Sequence, residues 1–327
     1  MRFHGLMLLR DEIDIIQQNL DHLLTWIDAL YILDMGSVDG TWEIVQDYAR
    51  RDSRIIPFFS KPIVYNDNQR CMLFDQYRHR IDPGDWVMKI DADEFYHIPP
   101  PQFVKERLSP LDTAVHLQWY FFRLTLQEAQ AYDAGQVDIA ADRKRPIEQR
   151  RRHYKISTYA EPRMFRYRRA MKWAKSGSMP FNAGFISKHR IPIRHYPHRD
   201  PKQMELRYKL RAAMMKLNAH AGGHWKLQDW RQELVDATGA SPASQAEKKV
   251  GLSGERGIDT GPLYYWEPAT PFQEMPLHNH VPPLRIRLQQ RIVHPLLLPI
   301  LDRLRPDYDR SYKPTDIPPE IAAHIYD

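Results

Sequence analysis

At 327 residues the chain has room for roughly two domains or one elaborated domain, and 43% hydrophobic content with 17 Tyr, 12 Phe and 8 Trp marks it as globular rather than disordered. One cysteine, Cys71, excludes an internal disulfide and a thiolate zinc cluster and points to a reducing compartment. The net charge of +6 is modest and uneven, with basic residues crowding 143–175 and 285–305, runs that suit a solvated face, phosphate, anionic lipid or nucleic acid.

Residues 3–9 read as a first strand, and the charges that follow make the N-terminal stretch too short for a signal peptide. No apolar run reaches the ~20 residues of a transmembrane helix. Helical spacing of Ile13, Ile16, Leu20, Leu23, Leu24 and Ile27 predicts a helix over 11–27. A short strand at 30–33 then leads into a turn at 35–40, a helix at 41–50 and a strand at 54–59. A loop at 61–65, a helix at 67–81 and a strand at 86–90 complete the first third. Cys71 sits in the apolar pattern of that third helix and reads as core. Strands separated by helices predict parallel βαβ units, with ligands gathering at the carboxyl ends of the strands.

The remainder holds most of the 26 prolines and is expected to be rich in loops. Strands are predicted at 113–123, 161–167 and 190–195, and a basic helix at 201–217. Residues 221–260 are polar and rich in Gly, Ser and Ala, which predicts a mobile excursion. Residues 284–305 mix arginines with apolar residues, and Pro295 and Pro299 interrupt any single helix there. That segment either lies on an anionic membrane surface or packs as a terminal helix.

Three predicted strand ends carry polar clusters: Arg10-Asp11-Glu12, Asp34 with Ser37 and Asp39, and Asp91-Ala92-Asp93-Glu94. While the chain stays extended, Asp91 and Asp93 project to the same face, and a shared divalent cation relieves their repulsion. Asp34 and Asp39 suit hydrogen bonds from a base or ribose, although Ser37 and Asp39 serve equally as turn and capping residues, and capping is the reading favoured for Asp39. Gln69 and Arg70, opening the third helix, place donors where a diphosphate would lie.

The segment Asp34-Met35-Gly36-Ser37-Val38-Asp39-Gly40-Thr41 resembles the D-x-G-S-x-D-G-T element of family 2 glycosyltransferases. Arg10-Asp11-Glu12 resembles their first-strand element, and Ile90-Asp91-Ala92-Asp93-Glu94-Phe95 their DxD motif. The resemblance spans residues 3–96 and implies a GT-A fold: a Rossmann-like α/β architecture with a mostly parallel sheet, flanking helices and a loop-rich acceptor region. It also implies a nucleotide-sugar donor, manganese or magnesium, and usually an inverting reaction. Residues 159–167 with 194–199 are similar to a bacterial subgroup. On this scheme 1–100 binds the nucleotide sugar, 101–217 completes the same domain on the metal and acceptor side, and 218–327 forms an excursion and basic tail.

By the same resemblance Asp93 holds the metal and Asp91 is directed to the metal, ribose or sugar, while His195 either completes the metal shell or is a hydrogen-bonded structural histidine, the reading slightly favoured for it. The catalytic base is expected to be a carboxylate near the acceptor, Glu161 first and Glu94 as its rival, with Asp133 and Asp138 weaker. For Glu161 a salt bridge to Arg163 or Arg166 is an equal reading. Arg163, Arg166 and Arg199 suit phosphate through forked guanidinium donors, against an ordinary surface role for each. Trp119 and Trp173 either face a sugar or belong to the core. The acceptor is expected to be a saccharide or lipid-linked hydroxyl in cell-surface polysaccharide or glycolipid synthesis, and the location cytoplasmic, with or without peripheral membrane contact. The rival readings are an inert nucleotide-sugar-binding module and a GT-A-like nucleotidyltransferase, the latter disfavoured because no glycine-rich signature follows the first strand. Nucleic-acid binding lacks regular aromatic interleaving and any zinc or helix-turn-helix signature.

Overall fold

A computed structural model of the chain describes residues 1–157, 161–173, 179–180, 183–217, 229–236, 262–268 and 308–326, with single positions between 270 and 304. Most of the expected membrane segment 284–305 and most of the polar stretch 221–260 lie outside the described residues.

The first third alternates as its apolar pattern demands. Strands β1 (Phe3–Leu9), β2 (Ala29–Asp34), β3 (Ile55–Ser60) and β4 (Trp86–Asp91) are separated by helices α1 (Ile16–Leu24), α2 (Thr41–Arg51) and α3 (Asn68–Tyr77). All neighbouring pairs among these strands are parallel, in the spatial order β4-β1-β2-β3. Every residue of β1 is buried, as a central strand covered on both faces must be. Phe3, Met7 and Leu9 pack with Ile16 and Leu20 of α1, whereas Leu6 and Leu8 pack on the opposite face with Cys71, Leu73 and Phe74 of α3. Period-two alternation thus divides one strand between two cores.

The chain runs outward from β1 through β2 to β3, then returns to place β4 on the other side of β1. That reversal is a topological switch point, where an open α/β sheet leaves a crevice beyond its carboxyl ends. The crevice is therefore rimmed by the residues after β1 and after β4.

Beyond residue 93 the sheet becomes mixed. The short strand β5 (Glu94–Tyr96) pairs antiparallel with β9 (Ile191–His195), which runs parallel to β6 (Ala114–Phe122). Strand β7 (His153–Ile156) is antiparallel to β6, β8 (Pro162–Arg166) is antiparallel to both β4 and β6, and β10 (Tyr264–Tyr265) edges β7. Four helices that the sequence reading left as loop are present: α4 (Pro100–Arg107), α5 (Leu126–Asp133), α6 (Ile139–Arg143) and α7 (Ile147–Arg150). Helix α4 opens on proline at N1, where the missing N–H costs nothing, and α5 is closed by a Thr125–Glu128 capping box. The basic helix α8 (Pro201–Leu217) forms as expected.

Part of the supposed excursion is ordered. Trp230–Glu233 makes a 3₁₀ turn with Trp230 buried, and Val235 accepts from the Leu126 backbone. The last helix, α9 (Pro319–Tyr326), packs against α8. Among the described residues no helix is long and apolar enough to cross a membrane.

Candidate active site

The turn after β2 is built around Asp34, which is fully enclosed. Its carboxylate accepts from Gly36 N at 3.1 Å, Ser37 N at 2.9 Å, Ser37 Oγ at 2.5 Å and Ser60 Oγ. Ser37 Oγ in turn accepts from Asp11 N at 2.8 Å, tying this turn to the end of β1. Asp39 accepts from Thr41 N and Ile13 N, both at 3.0 Å, and so ties the start of α2 to the segment after β1, while the N-cap position itself is Gly40 rather than the expected Asp39. In this conformation Asp34, Ser37 and Asp39 hold the rim in shape, with Asp34 turned inward rather than offered to a ligand.

Gly36 is required here. Its φ is +86°, and an added Cβ would stand 2.6 Å from Pro62 Cα.

β4 ends at Asp91, and Ala92–Asp93 turn away from the strand. The expected shared face of Asp91 and Asp93 is therefore not kept, and the two carboxylates address different partners. Asp91 is one-third exposed and pairs with Arg70 and, at 3.2 Å, with Arg163. Asp93 is nearly buried, with Arg207 Nη1 at 3.1 Å, His195 Nε2 at 3.4 Å and Arg199 Nη1 at 3.8 Å. Burial alone would raise both carboxyls, but Arg70 and Arg163 hold Asp91 low, and His195, Arg207 and Arg199 hold Asp93 well below the usual range. The β5–β9 register, Glu94 opposite His195, brings that histidine to Asp93 from a hundred residues away.

Glu94 is 1% exposed. Arg163 Nη2 donates to it at 3.0 Å and Trp119 Nε1 at 2.7 Å. Burial raises its carboxyl against the pull of Arg163. Arg163 and Trp119 thus hold Glu94 closed to solvent. Glu161 is more open, at 21% side-chain exposure, and pairs with Lys89. Arg163 Nη2 lies 4.0 Å from it, so the expected link to Arg163 is long, and Lys89 is the main partner. Burial and then Arg163 push the Lys89 amine down to about 7.

Arg163 and Arg199 are fully buried, not surface residues. Arg199 forks onto Asp14 at 2.7 and 3.0 Å and reaches Glu12 Oε2 at 2.5 Å. Burial raises the Glu12 carboxyl to about 8, despite the opposing charge of Arg199. Gln69 is buried and holds the loop before α3 by donating to Val64 O at 2.6 Å, while Arg70 reaches across to Asp91.

Arg166 is the misplaced candidate. It pairs with Trp86 at the start of β4, about 16 Å along the strand from Asp91, and donates to Gly84 O. Asp133 and Asp138 are also remote in role: the first pairs with exposed Arg231 and the second caps α6. Trp173 is core, at 2% exposure.

Sequence reasoning missed Lys89, Asp14 and Arg207. Lys89 did carry a signal, being a lysine inside an apolar strand and two residues from Asp91. Arg207 carried none, because its partner lies 114 positions away.

A divalent ion fits in part. Two ligands of one ion at about 2.1 Å and a right angle stand about 3 Å apart, close to the 3.4 Å between Asp93 Oδ2 and His195 Nε2. Among the described residues no group of three or more His, Cys, Asp or Glu gathers to hold a metal. Asp93 and His195 are the two residues that would be available to a divalent ion, and Arg207 would then have to give up its contact with Asp93.

No family model matches the chain, and no curated protein matches it. It is similar to several solved structures. One is a mannosyltransferase, PcManGT from Pyrobaculum calidifontis, in complex with GDP-Man and Mn2+, at 15% identity and TM-score 0.29 over 50% of this chain and 44% of that one. Another is TarS 1-349 of S. aureus with UDP-GlcNAc, at 14% identity and TM-score 0.27 over 38% and 35%. A third is GalNAc-T7 with UDP, GalNAc and Mn2+, at 10% identity and TM-score 0.35 over 79% of this chain and 58% of that one. The chain thus spans less than half of the first two structures.

Proposed function

We propose that the chain is a glycosyltransferase that moves a sugar from a nucleoside diphosphate donor to a hydroxyl acceptor. The observation that carries this reading is the pairing, at the β1/β4 switch point, of Asp91 and Asp93 with Arg70, Arg163, Arg199, Arg207 and His195. A leaving diphosphate needs compensating positive charge held in place before the reaction, and these cations cluster at the end of β4, paired there with Asp91 and Asp93. Asp93 and His195 are the residues that would hold manganese or magnesium, which would supply charge stabilisation to the leaving diphosphate. Arg207, half-buried on α8, is positioned to move from Asp93 to a phosphate oxygen.

Glu161 is the base in this reading, because Glu94 is sealed against Arg163 and Trp119. It accepts the proton of the acceptor hydroxyl as that oxygen bonds to the anomeric carbon and the carbon–phosphate oxygen bond breaks. Lys89, paired with Glu161, aims its carboxylate. Attack from the face opposite the diphosphate would invert the anomeric centre, and the acceptor class is a saccharide or lipid-linked hydroxyl.

The test is release of nucleoside diphosphate from a panel that includes GDP-mannose, UDP-GlcNAc and UDP-GalNAc, with manganese and candidate acceptors. Release lost in Asp93→Asn is the expected result. Tight donor binding with no release from any donor favours instead a binding module without activity, a reading that draws on Asp93 being already satisfied by Arg207 and His195.

A further inference from the structure

The last helix reaches the same crevice from the far end of the chain. Residues 315–317 run antiparallel beside 62–64, with Val64 N donating to Thr315 O at 2.8 Å and Ile317 N to Pro62 O at 2.9 Å. Ile317 and Ile325 are buried against Val64, Ala213 and Met214, which fixes α9 to α8. Tyr326 closes the circuit. Its hydroxyl donates to Asp11 Oδ2 at 2.7 Å and accepts from Arg10 Nη2 at 3.0 Å.

One short segment therefore joins three rims: the end of β1, the loop that leads to Gln69 and Arg70, and α8 with its Arg207. Asp11 is held at φ +55°, a conformation uncommon outside glycine. Arg10 Nη1 is buried with no hydrogen-bond partner among the described residues. A tyrosine that only packed α9 would not need to fix two charged groups beside an unsatisfied donor.

We propose that residues 315–326 are a clamp on the nucleotide crevice, with Tyr326 as the positioning residue that holds Arg10 and Asp11, so that a nucleoside diphosphate binds the clamped form more tightly than the unclamped one. This rests on the donor-site reading above. Coupling is reciprocal: a ligand favoured by the clamped form must also tighten the clamp.

The experiment measures binding of UDP, GDP, CDP, ADP and dTDP with manganese to the full chain by calorimetry, then amide hydrogen exchange with the nucleotide that binds. Exchange in 319–326 is expected to slow on binding, an effect that needs no variant. Tyr326→Phe, which keeps the ring and its packing, is expected to bind that nucleotide about fivefold to tenfold more weakly. Binding that leaves exchange in 319–326 unchanged, or equal affinity in Tyr326→Phe, overturns the clamp and leaves the donor-site reading standing. Binding of none of the five overturns the donor-site reading and the clamp with it.

Discussion

Substituting alanine at Gly36 tests whether the rim of the crevice is as rigidly built as its contacts imply. Two penalties add there. The φ of +86° costs a residue with a Cβ about 1–2 kcal/mol. The new Cβ would also stand 2.6 Å from Pro62 Cα and 2.7 Å from Pro62 N, backbone atoms that cannot rotate away. A shift is forced, and it strains the bonds from Gly36 N and Ser37 N to Asp34 and the Pro62 O bond to Ile317. Overpacking of this kind adds about 1–3 kcal/mol. Gly135→Ala supplies the control, since Gly135 has φ +68° and nothing within 4 Å of its would-be Cβ. Urea unfolding should therefore show a loss of about 1–2 kcal/mol for Gly135→Ala and about 2–5 kcal/mol for Gly36→Ala. Nucleotide affinity should fall only in Gly36→Ala. Equal losses in the two variants would refute the argument that Pro62 closes the turn.

Other outcomes follow from the same contacts. Glu161→Gln should lower transfer by 100-fold or more while sparing donor affinity, the usual size of a general-base contribution, and unchanged transfer would move the base elsewhere. Trp119→Phe removes a hydrogen bond to a buried carboxylate, so a stability loss of about 1–3 kcal/mol is expected in denaturant titration. The His22 ring accepts from Tyr96 N at 3.1 Å, and burial, followed by Arg194, pushes its pKa down to about 4. Because the folded value lies below the unfolded one, its contribution is full above pH 6.5 and is lost as the pH falls toward 4. The shift sets a ceiling of about 3 kcal/mol, and the partly exposed ring should realise about 1–2 of it. The difference in acid stability between the wild type and His22→Gln measures this, and identical pH profiles would refute it.

The first third was legible because each strand there is a continuous apolar run between helices whose buried faces repeat every three to four residues. β5 was not, since a three-residue strand inside an acidic motif has no period to read. Helices α4 to α7 were hidden by proline and charge, although Pro100 at N1 and the Thr125–Glu128 box were signals in plain sequence. In the site, the sequence pointed to Asp91, Asp93, His195, Arg163 and Arg199, and the fold brings these together. It did not show that the turn at Ala92–Asp93 separates the two aspartates, because strand alternation holds only while the strand continues. Arg166 went wrong for a related reason: position in β8 is read through its antiparallel register, and three residues beyond Arg163 it faces the opposite end of β4. That Glu94 is sealed and Glu161 partly open has no signature in the sequence, because both sit beside strand ends rich in charge.

The most direct test of the central claim is nucleoside diphosphate binding at the end of β4, read as a melting-temperature shift with manganese for the wild type and for Asp93→Asn. A ligand at 100 times its Kd adds about 2.7 kcal/mol to the folded state, a shift easily read for a chain of this size. The account predicts that one nucleoside diphosphate raises the melting temperature, that chelator removes the effect, and that Asp93→Asn folds but does not respond. No response to any nucleotide, or an equal response in Asp93→Asn with chelator present, would contradict it.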